Sequence, residues 1–293
     1  FRYGRGRSLI PDVVITLDWS SRSKPSPVNP CADAIYTCLG RRGGDIETPK
    51  YHRTRQACFD YVLATLDSEA KAGHRVLLGV DFALGYPTGF AEALTGRAEA
   101  FAIWDVLSAH IMDAPDNRNN RFDVAARLNE QSPGIGPFWG CPSTIHLDAL
   151  PHKGSQRQGH GFPERRLCET HVRSTQTVWK LFTTGSVGSQ SLLGIPMVNR
   201  LRKTFGDQLA AWPFQSCGSA SAVVAEIYPS YFDLNGVQDG GIFDIKDARQ
   251  VYRVTQEFLE SDVVGNTLAT KDLSPLIQEE GWILGVPLPE VST

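Results

Sequence analysis

The chain has 293 residues, 41% of them hydrophobic and 10% aromatic, with a formal net charge of −3. That length and composition suit a globular protein with a substantial core, in one large domain or two. No apolar run nears the roughly 20 residues of a membrane helix and the opening "FRYGRGRSLIPD" lacks the apolar segment of a signal peptide, so a cytoplasmic protein without a membrane partner is expected.

In chain order, "DVVITLDWSS" (12 to 21) is a β-branched apolar run ending in Asp18, followed by a loop-like "SRSKPSPVNP". "ADAIYTCLG" reads as a second strand and "GGDIETPKY" as a turn with a possible third. Cys58, Tyr61, Val62, Leu66 and Ala70 then recur at helical spacing, with Gly73 where a helix C-cap belongs. "RVLLGVDFALGYPTG" (75 to 89) follows, a buried strand delivering Asp81 into a glycine and proline turn. The order β β β α β implies a mixed sheet whose first and fourth strands are parallel neighbours.

Helical patterns continue at 100 to 113 and 120 to 131, before a long loop rich in Gly, Pro and His. "TVWKLFTTGSVGSQSLLGIPMVNRLRKTF" reads as a strand-like run, a Gly/Ser turn and an amphipathic helix. Residues 97–205 are therefore expected to form an insertion over the sheet, between core segments 12–96 and 206–293. Near the end come a β run, "SAVVAEIYPS", a helix, "DIKDARQVYRVTQEFLE", and a closing "EEGWILGV".

Charge is unevenly distributed. Residues 151 to 203 hold nine Lys/Arg against two acids (+7), and residues 204 to 293 hold four against thirteen (−9). The basic middle suits either a phosphate-bearing ligand or a solvated surface balancing the acidic end. An overall pI near 6.2 argues against a strong nonspecific nucleic-acid binder. Six cysteines without a CxxC pair read as reduced thiols.

Three strand ends carry the chemistry. "VITLDWSS", "LLGVDFAL" and "AVVAEIYPS" each place one acid at the close of an apolar run. With the first and fourth strands about 4.8 Å apart, Asp18 and Asp81 lie side by side, and a flanking strand is expected to bring Glu226 close. Like charges so near require either a strongly raised pKa or a bound cation, and oxygen ligands favour Mg²⁺ or Mn²⁺ over zinc. Asp247, or Asp244 beside it, offers a fourth acid at a helix start, where an acid also simply caps the helix.

These residues carry a resemblance. "LDWS", "VDFALGYP", "EIYPS" and the later "KDA" look like an uncharacterised bacterial family of predicted RNase H-like nucleases, over residues 12 to 95 and 220 to 290. The middle, with "NRNNRF" and "GPFWGCP", resembles a subfamily sometimes labelled as molybdopterin or cobalamin cofactor synthesis proteins. The resemblance implies an α/β fold, an RNase H-like mixed five-stranded sheet flanked by helices, with the insertion as a cap or lid. It makes Asp18, Asp81, Glu226 and Asp247 the metal-binding catalytic acids of a hydrolase acting on phosphate esters.

Arg118, Arg121, Lys180, Ser186, Ser189 and Lys246 are the expected phosphate contacts, Ser186 and Ser189 lying in "TTGSVGSQS", which resembles a phosphate-cradling turn or a plain helix N-cap. It is not GxxxxGK[ST], and no nucleotide-cofactor motif occurs. Cys141, His146, Cys168 and His171 fit no common zinc spacing. The expected function is divalent-metal-dependent phosphoryl or phosphodiester hydrolysis on a phosphate-containing substrate, nucleic acid included. The alternatives are an enzyme acting on a small nucleotide-like or cofactor precursor, and a noncatalytic partner-binding protein on the same fold.

Overall fold

The computed structural model describes residues 9–172 and 174–289. Residues 1–8, on which the signal-peptide reading partly rests, lie outside the described residues, as do 290–293 of the second core segment.

Six strands form one mixed sheet in the order β3-β2-β1-β4-β6-β5. They are β1 (Val13–Asp18), β2 (Ile35–Arg41), β3 (Lys50–His52), β4 (Val76–Val80), β5 (Leu209–Ala211) and β6 (Ala222–Glu226). The first three are antiparallel neighbours, while β1, β4, β6 and β5 run parallel. Central strands buried on both faces read as near-continuous apolar runs, which is how VVITL and VLLGV look in the sequence.

The sixth strand was not expected. Leu-Ala-Ala is too short to show alternation and poor in β-branched residues, so its pairing with Ala222–Val224 creates it. Conversely, the strand-like "TVWKLF" forms no strand. Lys180 N–H closes a turn on Thr177 O at 3.3 Å, and the segment's link to a neighbour is one bridge between Trp139 and Lys180.

The helices are α1 (Arg55–Lys71), α2 (Phe90–Thr95), α3 (Ala100–His110), α4 (Arg121–Glu130), α5 (Leu167–His171), α6 (Val187–Phe205), α7 (Lys246–Glu260), α8 (Val263–Leu268) and α9 (Pro275–Glu280). Thr54 caps α1 through Ala57 N–H, and Gly73 follows its C-terminus at φ 81°. One sheet face, with Val13, Ile15, Leu17, Val76, Leu78 and Val80, packs on α1, α3 and α6. Thus the 97–205 segment supplies helices to the core as well as loops above it. The other face, with Val14, Leu77, Val223 and Ala225, packs on α7, α8 and the closing Trp282–Leu284. Thr16 on that face donates to Val251 O at 2.7 Å and pairs with Thr255, so its buried hydroxyl is satisfied.

Helix α6 approaches the end of β4 closely. A Cβ at Gly194 would run into the ring of Phe82, which is 1% exposed and follows Asp81 directly. Gly194→Ala should lower stability, because overpacking costs about 1–3 kcal/mol while the gain in helix propensity is at most about 1 kcal/mol. Chemical denaturation measures the difference, and a stabilised variant would contradict it.

Candidate active site

Asp18 closes β1 and Asp81 follows β4. Leu17 lies opposite Val80, and Asp81 N–H donates to Leu17 O at 3.1 Å, so the next two residues, Asp18 and Asp81, point to one face. Their carboxyl groups lie close enough that either, once protonated, donates to the other. Trp19 N–H also donates to Asp81 Oδ1 at 2.7 Å. Burial, then the charges of Asp81 and Asp247, hold Asp18 well above the usual carboxylate range. Burial pushes Asp81 up to about 7, with the Trp19 N–H and the Asp18 hydrogen bond opposing and Asp247 adding. Two carboxyl groups this close share one proton in the absence of a cation.

Asp247 stands in the first turn of α7, on the same face. Asp33 N–H donates to its Oδ2 at 2.7 Å, leaving Oδ1 without a hydrogen-bond partner among the described residues. Burial and the Asp33 charge raise its pKa, while Lys246 and Arg22 lower it. Asp244 instead accepts from Gly240 N–H at 3.1 Å and closes its own turn.

Glu226 does not join this group. It pairs in register with Val80, so the pleat puts it in the row of Leu17 and Val80, on the face opposite Asp18 and Asp81. Arg166, 1% exposed, grips its two oxygens at 2.6 and 2.7 Å, and Leu84 N–H adds a bond at 3.2 Å. Arg166 also binds Glu169 Oε1 at 2.8 Å and Glu280 O at 3.2 Å. Gly85 is required here, since any Cβ would collide with Glu280 O.

Two cavities flank the acid pair, and Asp18 and Gln190 line both. The smaller, about 140 Å³, is lined by Asp81 and by the Arg166, Glu169 and Glu226 cluster, together with Gln176, Gln250, Tyr228 and Ser230. The larger, about 450 Å³, has Asp18, Asp33 and Asp247 among its walls, and also Arg22, Arg121 and the loop from Thr183 to Ser186. Asp33 (φ 56°) and Thr183 (φ 73°) both hold left-handed backbone there.

Of the expected phosphate contacts, Arg121 and Ser186 line the larger cavity. Ser189 is buried behind it and accepts from Arg121 Nε at 2.9 Å. Arg118 is exposed and bonds Asp116 of its own turn at 2.7 Å. Lys180 Nζ is spent on Thr184 O at 2.7 Å, and Lys246 is exposed beside Asp247, so neither lines the cavity. Cys141 faces His152 at 3.3 Å, whereas Cys168 and His171 belong to α5. Among the described residues no three His, Cys, Asp or Glu side chains converge on one metal position. Arg22, Asp33 and Arg166 were not singled out from the sequence, because each acts through contacts distant along the chain.

Two measurements follow from these geometries. Asp81 releases its proton near 3.9 when unfolded and near 7 when folded, so between those values the native state holds the extra proton and stability falls as pH rises. Without divalent cations, Asp81→Asn should flatten that slope in denaturant titrations and be more stable than wild type at pH 8; an unchanged slope would refute the shared proton. Arg166→Met should cost about 3–5 kcal/mol by leaving Glu226 buried and unpaired. A loss below 1 kcal/mol would show that the pair does not secure the end of β6.

No family model, curated protein or solved structure matches the chain.

Proposed function

We propose that the protein is a divalent-metal-dependent hydrolase of phosphate esters, with an RNase H-like core. The observation that carries this reading is the close Asp18–Asp81 pair at adjacent parallel strand ends, with Asp18 on the wall of a cavity also lined by Asp247 and Arg121. The sheet order supports the RNase H-like reading, with β5 as an added edge strand.

The donor set fits a hard cation. Asp18 and Asp81 present carboxylate oxygens whose shared proton a cation would replace, and Mg²⁺ is commonly held by one or two carboxylates with its remaining positions filled by water and phosphate. Asp18 and Asp81 would hold the ion, and Asp247, with Oδ1 unengaged, is the next acid. A bound divalent cation supplies polarisation of a phosphoryl oxygen and a lowered pKa for bound water. The protein's own contribution is positional. Trp19 N–H fixes Asp81, Gln190 donates to Trp19 O at 2.6 Å, and Asp33 N–H fixes Asp247, so the acids need little rearrangement. Glu226, held by Arg166, shapes the end of β6.

Calorimetric titration with Mn²⁺ should show binding to wild type and its loss in Asp81→Asn. Phosphate-ester hydrolysis should require Mg²⁺ or Mn²⁺ and drop at least about 100-fold in Asp18→Asn and Asp81→Asn, a barrier increase of about 3 kcal/mol. Mn²⁺ binding that is absent, or unchanged by Asp81→Asn, would favour a noncatalytic partner-binding role for the same fold.

A further inference from the structure

We infer that the larger cavity is a receptor for the terminal phosphate of a small phosphomonoester. The reaction rests on the hydrolase reading above; the binding does not.

Arg121 is 8% exposed and lines the cavity, yet it forms no ion pair with a carboxylate among the described residues. The nearby acid, Asp113, is taken at both oxygens by Arg55, at 2.6 Å each. Arg121 is held by neutral groups, through Nε to Ser189 and Nη1 to Ser23 and Asn119, at 2.8 to 2.9 Å. Its Nη2 has no partner among the described residues. Its guanidinium also rests on the Phe122 ring at 4.2 Å. A buried, uncompensated guanidinium is costly, and here three side chains fix it in one orientation, which suits an anion arriving from outside.

The opposite wall agrees. The 19-residue helix α6 begins at this cavity, and its N-cap, Ser186, makes no side-chain capping bond. The positive end of its dipole thus lies at the same space as Arg121, while the amides of Gly188 and Ser189 donate to Lys180 O and Ser186 O, at 3.0 and 3.1 Å. The side chain of Arg22, at the cavity wall, donates to the carbonyls of Asp33 and Ala32, at 2.9 and 3.0 Å.

The class of ester follows from depth. An internal phosphodiester carries chain on both sides, whereas Arg121 lies nearly out of solvent contact, where a chain end reaches more readily. A volume of about 450 Å³ falls within the roughly 300–1,000 Å³ of small-molecule sites.

The test is calorimetric binding of inorganic phosphate to the full chain in EDTA and in Mg²⁺, with Ser186→Asp and Arg121→Lys. Wild type should bind in both buffers. Ser186→Asp should lose affinity at least about tenfold while its Tm stays close to that of wild type, because the half-buried side chain at the cavity wall has room for a carboxylate that repels an anion. Arg121→Lys, which removes the fork but keeps the charge, should lose a similar factor. A nucleoside 5′-monophosphate should displace phosphate, and a dinucleoside phosphodiester should not. No phosphate binding to wild type, or binding untouched by Ser186→Asp, overturns the receptor. Equal competition by the diester or by a 5′-phosphorylated oligonucleotide overturns the small-molecule assignment. Phosphate binding without Mn²⁺ binding would sink the hydrolase reading alone, and hydrolysis with unchanged KM in Ser186→Asp would sink the receptor alone.

Discussion

The parallel register of β1 on β4, with Leu17 opposite Val80, is the constraint on which the site depends. It makes Asp18 and Asp81 the next pair on one face, close enough to hydrogen-bond, at the point where both strands leave the sheet. A slip of one residue would turn Asp81 to the opposite face and leave each acid alone. The register is held because both strands are buried on both faces: Leu17 and Val80 belong to one core, Val14 and Leu77 to the other. Apolar packing thus supplies the precision that the carboxyl pair needs.

The same pleat rule removes Glu226 from the acid group and gives it a different task. Arg166 comes from the 97–205 segment, Glu226 from β6 and Glu280 from α9, so one buried guanidinium joins three parts of the chain. Glu280 extends the joint by accepting from Thr88 N–H and Leu167 N–H, at 2.7 and 2.6 Å. Such an ion pair adds little net stability compared with an apolar core, but breaking one side of it is expensive. Its effect is to set where the segment carrying the Thr183–Ser186 loop meets the sheet.

Much of the fold was legible from the sequence, and the limits have physical reasons. Strands such as VVITLD and VLLGV, and the helices at 55–71, 100–110 and 246–260, are strongly patterned, so local chemistry sufficed. Leu209–Ala211 has no local signature and exists by pairing with β6. At the site, Asp18 and Asp81 were readable because an acid ending an apolar run demands an explanation, and Asp247 as an acid at a helix start. Glu226 shares that signature, and only the register of β6 against β4 separates it from the others. Arg121 was legible as one of several basic residues, whereas its difference from Arg118 and Lys180 lies in burial and partners, which neighbours in sequence do not encode.

Two groups in this protein are held against their own electrostatic preference. Burial and each other's proximity hold the Asp18 and Asp81 carboxyls above the usual range, and Arg121 keeps a buried charge whose hydrogen-bond partners among the described residues are neutral. Asp18 and Arg121 line one cavity, yet among the described residues they form no ion pair. Two left-handed residues, Asp33 and Thr183, shape those walls, and strain of this kind persists only where the surrounding structure imposes it. A fold selected for stability alone would close the gap with a direct ion pair. In the proposed hydrolase, keeping it open would give a cation a place on the acids and an anion a place on the arginine, which is the charge arrangement that a metal-bound phosphate presents.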